Sequence, residues 1–157
     1  SPETRVLAYT GADDYPYVAE VTDSSIEIEV GPIPQGVIRW DVLRETESLV
    51  HHILDYLDGR NRTETESKER TFSIYTFAQN LDYHRKPDGT IWSAVHPDLQ
   101  DRDFARLDPG APVFISFEGE EIYYTGNEPV WPIFINEAAY YEKSCAMTLC
   151  RKEEITA

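Results

Sequence analysis

Apolar and polar positions change rhythm twice along the chain. Residues 5–10 (Arg-Val-Leu-Ala-Tyr-Thr) form a short apolar run stopped by Gly11 and the acidic pair Asp13-Asp14, which predicts a strand and then a loop. Residues 15–21 carry no clear period. Ile26-Glu27-Ile28-Glu29-Val30 alternates strictly and stops at Gly31-Pro32, the pattern of a strand running into a loop. Asp41 is a suitable N-cap, and from there Val42, Leu43, Leu49, Val50, Ile53, Leu54 and Leu57 recur at three- and four-residue steps. They predict one apolar stripe of a helix that stops at Gly59. Strand, loop, strand, loop and helix in this order is the arrangement of an α/β unit.

The rhythm then breaks. Residues 60–70 (Arg-Asn-Arg-Thr-Glu-Thr-Glu-Ser-Lys-Glu-Arg) contain no aliphatic or aromatic side chain and read as a linker. Beyond it come short β-rich runs at 71–78, 81–84, 90–95, 112–118, 122–125, 130–135 and 146–151. They are separated by turn signals such as Pro87-Asp88-Gly89, Asp108-Pro109-Gly110 and Thr125-Gly126-Asn127. Close spacing of this kind predicts a small barrel or sandwich. The expected division is therefore α/β over 1–59, a linker over 60–70 and a β-rich domain over 71–157.

Composition narrows the function. Lys plus Arg number 14 against 29 Asp plus Glu, a net charge of −15, which argues against nucleic acid and against an anionic membrane surface as partners. No window approaches the roughly 18 apolar residues of a membrane span. The first residues, Ser1-Pro2-Glu3-Thr4-Arg5, have neither an initiator Met nor the pattern of a signal peptide, so a processed or cut chain and a cytoplasmic setting are expected. Cys145 and Cys150 lie five apart in a strand-like run, which separates them by about 16 Å of extended backbone on opposite faces. Two reduced core thiols are expected there rather than a disulfide.

Three places could carry chemistry. Glu29 stands next to the carboxyl end of a predicted strand, where open α/β sheets place their ligands. A carboxylate there suits a general base or a metal ligand, and two solvated glutamates on an edge strand, Glu27 and Glu29, would read the same way. The four histidines form no His-x-x-Glu and no His-Glu-x-x-His, and are expected to be solvated or to cap turns. The third place is 136–143 (Asn-Glu-Ala-Ala-Tyr-Tyr-Glu-Lys), directly after a hydrophobic strand. It reads either as a polar pocket wall or as a short helical turn that packs one Tyr.

Four blocks in order carry a resemblance. They are 28–39 (Ile-Glu-Val-Gly-Pro-Ile-Pro-Gln-Gly-Val-Ile-Arg), 96–104 (His-Pro-Asp-Leu-Gln-Asp-Arg-Asp-Phe), 109–114 (Pro-Gly-Ala-Pro-Val-Phe) and 132–143, which ends in the Asn-Glu-Ala-Ala-Tyr-Tyr-Glu-Lys segment. Together they resemble the aspartoacylase family, zinc-dependent amidohydrolases with a carboxypeptidase-like α/β domain and a β-rich C-terminal domain. The resemblance implies that residues 1–59 are the C-terminal part of the catalytic domain. It implies zinc as cofactor, held by a His-x-x-Glu pair and a later His outside this chain, so that no metal ligand is expected within it. It also implies Glu29 as the catalytic glutamate, Tyr15 and Tyr140 as substrate contacts beside Glu29, and Glu137 with Asn136 as supporting residues of the pocket. The substrate would be a small N-acyl amino acid such as N-acetylaspartate, and the partner a second copy in a homodimer.

Two positions depart from the family. Aspartoacylases place an Arg where this chain has Ala19 and a Lys where it has Ser144. Both losses favour an alternative, an aminoacylase acting on N-acyl aromatic amino acids, since an unpaired substrate carboxylate in a dry pocket binds poorly. A non-catalytic β-rich binding domain is the further alternative. The isolated 157-residue chain is expected neither to bind catalytic zinc nor to hydrolyse N-acetylaspartate. Metal analysis and an amidase assay check this, and stoichiometric zinc with turnover would place the whole active site within the chain.

Overall fold

Among the described residues are seven strands: β1 (Arg5–Ala8), β2 (Thr71–Leu81), β3 (Ser93–Val95), β4 (Pro112–Ser116), β5 (Glu121–Tyr123), β6 (Trp131–Ile133) and β7 (Met147–Thr156). The computed structural model describes residues 5–8, 28, 30–31, 33–34, 36–62, 69 and 71–156. The chain divides into two compact units, Ser1–Ala12 with Glu69–Ala157, and Asp13–Lys68.

The first unit is the β-rich domain that the turn spacing predicts. Its strands form two open sheets, β1-β2-β7-β6 and β3-β4-β5, and neither closes into a barrel. The larger sheet is organised on the antiparallel β2–β7 ladder, from Thr71↔Thr156 to Leu81↔Met147, with a register shift between Phe77 and Gln79. β6 pairs antiparallel with the first half of β7, Trp131 opposite Cys150.

β7 changes character along its length. Residues 145–150 are all buried, whereas 151–156 are mostly exposed. Met147 and Leu149 point into one cluster with Leu107, Val113 and Phe114, between the two sheets. Cys150, on the alternate face, joins Tyr75 and Ile133 beneath Leu7, Phe104, Trp131 and Phe134. A strand covered on both faces reads as a nearly continuous apolar run, and in 145–150 the one polar residue, Thr148, donates its hydroxyl to Asn80 Oδ1 at 2.8 Å. The charged remainder, Arg151-Lys152-Glu153-Glu154, extends β7 five residues past the predicted end at 151. Backbone pairing to β2 holds it there, and a solvated strand face needs no apolar side chains. Both cysteines are free and buried. Burial raises the Cys150 thiol to about 11, so it has little thiolate character.

Several predicted bounds shift. The run at 81–84 leaves the sheet after Leu81, and that at 90–95 narrows to Ser93–Val95, with Ile91 in an isolated bridge to Arg85. β1 pairs parallel with β2, Arg5 opposite Ser73 and Ala8 opposite Thr76. Its residues therefore group with the β-rich unit, although their place in the chain assigns them to 1–59. Hydrophobic rhythm marks a strand but does not name its partner. Arg5 lies over the Phe104 ring at 4.8 Å, and Tyr75 meets the same ring edge-on at 4.7 Å.

In the second unit, α1 spans Trp40–Arg62. It begins one residue before Asp41, which therefore sits in the first turn, where a carboxylate complements the helix dipole, rather than at the N-cap. It also runs three residues past Gly59. A mid-helix glycine costs about 1 kcal/mol relative to alanine. Arg60 and Arg62 in the last turn oppose that cost, with Arg62 bonded to Asp58 at 2.9 Å. The predicted linker thus begins as helix at 60–62, and 63–68 and 70 lie outside the described residues. Ile28 and Val30 lie in no strand, and the rest of the predicted strand 26–30, Glu27 and Glu29 included, lies outside the described residues, as does Tyr15. No helix among the described residues is long and apolar enough to cross a membrane.

The two halves of β7 are expected to respond differently to truncation. Leu149→Ala should destabilise the domain by about 2–5 kcal/mol, as a large-to-small core change does. Ile155→Ala, at a position 41% exposed, should cost less than about 1 kcal/mol. Urea unfolding of the two variants measures the difference, and equal losses would show that the burial boundary in β7 is misplaced.

Candidate functional site

Of the three places singled out in the sequence, 136–143 lies wholly among the described residues. It leaves the sheet after β6 and returns to it at β7, and the return is tied down by backbone. Asn136 N–H donates to the Ala146 carbonyl at 2.8 Å, and Ala146 N–H donates to the Leu81 carbonyl at 2.7 Å. Between these points Ala138–Lys143 forms a 3₁₀ helix. The Tyr140 carbonyl closes it, accepting N–H groups from Ser144 and, at 3.2 Å, from Cys145. The helical turn that one reading of the segment expects is thus present.

The backbone is forced at both ends. Phe134, Asn136 and Ser144 have φ of 53°, 60° and 54°, the left-handed region that favours glycine. Such conformations cost about 1–2 kcal/mol each for ordinary residues. Hydrogen bonds hold them. The Asn136 carbonyl Oδ1 accepts from the Tyr83 hydroxyl and, at 3.0 Å, from the Tyr141 hydroxyl. The Asn136 Nδ2 donates to Gln100 Oε1 at 2.9 Å. Tyr83 and Tyr141 also meet edge to face, with centroids 5.4 Å apart. Burial, and then the neighbouring Tyr141, raise the Tyr83 phenol well above its usual range, so it stays protonated and donates.

The far end of the segment is held by an ion pair. Asp82 accepts from Arg85 Nε at 2.8 Å and Arg85 Nη2 at 3.1 Å, and from its neighbour Tyr83 N–H at 2.7 Å. Arg85 also donates to the Tyr141 carbonyl at 3.1 Å. The Arg85 fork is the main reason the Asp82 carboxyl titrates below its ordinary value. Ser144, one of the two departures noted in the sequence, ends the turn in the left-handed conformation, with its N–H on the Tyr140 carbonyl.

Tyr140 lies on the turn held in this way. It is half-buried, edge-on to Phe134 at 5.8 Å, with Lys143 Nζ 5.4 Å from its ring centre. A phenol and an ammonium side by side suit a polar or anionic ligand. Asn136 is the centre of the network. Glu137 is exposed and makes no capping bond with its side chain, and only its carbonyl engages the turn, accepting Tyr140 N–H at 3.0 Å. Nothing local in the sequence marks Tyr83, Asp82 or Arg85, because none breaks a period and all three lie in or beside a predicted strand.

The histidines serve local structure. His96 is buried and its Nδ1 accepts Asp98 N–H at 3.2 Å, while His52 Nδ1 lies 2.6 Å from the Ser48 carbonyl on α1. Among the described residues no group of three or more His, Cys, Asp or Glu side chains could hold a metal ion. A zinc ion therefore does not fit these residues alone.

Residues 70–152 match the AstE/AspA barrel-sandwich hybrid domain. A probable aspartoacylase of Acaryochloris marina is 40% identical over 157 residues, covering 99% of this chain and 53% of that protein. A mouse protein named N-acyl-aromatic-L-amino acid amidohydrolase (carboxylate-forming) is 40% identical over 153 residues, covering 97% of this chain and 48% of its own. The crystal structure of murine aminoacylase 3 superposes with a TM-score of 0.90 at 38% identity, over 97% of this chain and 50% of that one. The chain thus spans about half the length of the relatives it matches.

The Asp82–Arg85 pair should show in the pH dependence of stability. Its folded pKa lies below the unfolded value of about 3.9, so its contribution is complete above that value and is lost as pH falls through the lower folded pKa. Asp82→Asn should therefore destabilise the chain at pH 7, and the gap to the parent should close below about pH 4. Urea midpoints across that range measure it, and a gap independent of pH would remove the ion pair as the cause.

Proposed function

The chain belongs to the AstE/AspA family, and from that membership we propose that it is the C-terminal half of a hydrolase that cleaves an N-acyl amino acid to a carboxylate and a free amino acid. The observation that supports this best is the coincidence at 136–143. The segment that carries the sequence resemblance is also the one whose backbone is held in left-handed conformations around a half-buried tyrosine. Strain held in this way clusters at ligand sites. The non-catalytic binding-domain alternative lacks a comparable observation, since the named relatives are hydrolases.

The chain's residues take distinct parts in this reading. Tyr140 contacts substrate, with Asn136 and Glu137 supporting it, and Tyr15 contributes a second contact. Glu29 takes the proton of the attacking water and passes it to the departing nitrogen, because an amide nitrogen leaves badly unprotonated. Zinc, when bound by residues outside this chain, supplies an acidified water. The domain boundaries expected from the sequence, a homodimer and a cytoplasmic setting go with the same reading. The net charge of −15 keeps nucleic acid and anionic membranes out of it.

A second reading concerns the amino-acid moiety, and Ser144 favours it. Its hydroxyl carries no charge, so this position offers no cation to a substrate side-chain carboxylate. Ala19 offers none either. N-acyl aromatic amino acids are then preferred over N-acetylaspartate. Comparing kcat/KM for N-acetyltyrosine and N-acetylaspartate in the full-length protein decides between them.

In that protein Glu29→Gln should lower kcat by about 10²–10⁴-fold, the usual loss for a general base. Folding and zinc content should stay unchanged. Glu27→Gln, two residues away, should change kcat only modestly. Near-normal turnover of Glu29→Gln would remove Glu29 as the base, and equal losses at both positions would indicate a shared electrostatic role.

A further inference from the structure

The network around Asn136 has a direction, and the direction is set outside the segment it holds. Gln100 Nε2 donates to Asp101 Oδ1 at 2.7 Å. An ionised carboxylate only accepts, so this bond fixes which end of the Gln100 amide faces it. Gln100 must then present Oε1 to Asn136, and Asn136 must present Nδ2 in return, as the 2.9 Å contact shows. That leaves Asn136 Oδ1 toward Tyr83 and Tyr141, both of which donate to it. Without a fixed acceptor at one end, two amides in contact could both flip and present the opposite polarity to the phenols. Asp101 itself has φ of 59°, a left-handed conformation, so its carboxylate is held on an unusual backbone.

The 96–104 segment is also joined to the site by two further bonds. Phe104 N–H donates to the Pro132 carbonyl at 2.8 Å, and Ile135 N–H donates to Asp103 Oδ1 at 3.4 Å. These fix the distance between the segments. They carry no information on amide polarity, which passes only through Gln100.

We propose that Gln100 and Asp101 are positioning residues for substrate binding. They orient the Asn136 amide, through it the Tyr141 turn, and so the neighbouring Tyr140; the inference rests on the reading that Tyr140 contacts the substrate. Neither residue touches substrate. Their effect is on the fraction of molecules in which Tyr140 is set for binding, so it appears in KM rather than in kcat.

The polarity argument makes a specific rescue available in the full-length hydrolase. Gln100→Glu keeps an acceptor for Asn136 but loses the donor to Asp101 and sets two carboxylates together. KM for the N-acyl amino acid should rise about 3- to 10-fold, with kcat changed less than about twofold. Gln100→Met, which removes the amide without adding charge, should raise KM in the same range. Adding Asp101→Asn to Gln100→Glu supplies an amide that donates to the new carboxylate, which still accepts from Asn136, so KM should return to within about twofold of the parent. Thermal midpoints confirm that each variant is folded. Tyr140→Phe is measured beside them. If it raises KM while Gln100→Glu and Gln100→Met do not, or if the double variant shows no recovery, the positioning role is overturned. If Tyr140→Phe leaves KM unchanged, the reading of Tyr140 as a substrate contact is what fails.

Discussion

The first half of β7 is covered on both faces, and this constrains everything around it. A backbone with no access to water must bond along both edges, so β2 is required on one side and β6 on the other. Both faces are largely apolar, with Met147 and Leu149 between the sheets and Cys150 beneath Phe104 and Phe134, and the buried Thr148 hydroxyl bonds to Asn80. The ends of the buried stretch have to be satisfied too. Just before β7, Ala146 bonds to Leu81 on one side and to Asn136 on the other. The residue that organises the candidate site is therefore fixed by the same requirement that fixes the core.

From that anchored point the site is a balance between backbone cost and side-chain bonds. Three left-handed residues around one short turn would together cost several kcal/mol in isolation, on the order of 3–6. Asn136 suits this better than most residues because its short amide reaches local partners from that conformation. Asp82 with Arg85 does at the end of the turn what Asn136 does at its start. Both bond to Tyr141, the neighbour of Tyr140 in the turn.

Sequence reasoning found the parts of this that follow a period or a turn signal. Strands β4 and β5 are legible in the apolar runs at 112–118 and 122–125, and α1 in its apolar stripe. The charged end of β7 was not, because its partner strand lies 85 residues away at Thr71↔Thr156 and pairing leaves no local mark. For the same reason β1 looked like the start of a first domain. Gly59 looked like a stop because a helix interior glycine is unfavourable, but the arginines beyond it outweigh that preference. At the site, the tyrosines were visible as an unusual segment. Their holders were not, since Gln100, Tyr83 and Arg85 act through hydrogen-bond direction, which has no signature in residue type alone.

The order of the strands has a further bearing on how the protein is made. β7 comes after every other strand in the chain, yet lies between β2 and β6 in the sheet. A ribosome adding about 5–20 residues per second exposes β2 for several seconds before residues 147–156 exist to pair with it. Throughout that interval one long edge of β2 is open, with Phe72, Ile74 and Phe77 along it. The nascent chain is thus most prone to pair with another chain just before β7 emerges, and slower synthesis of residues 147–156 would lengthen that period.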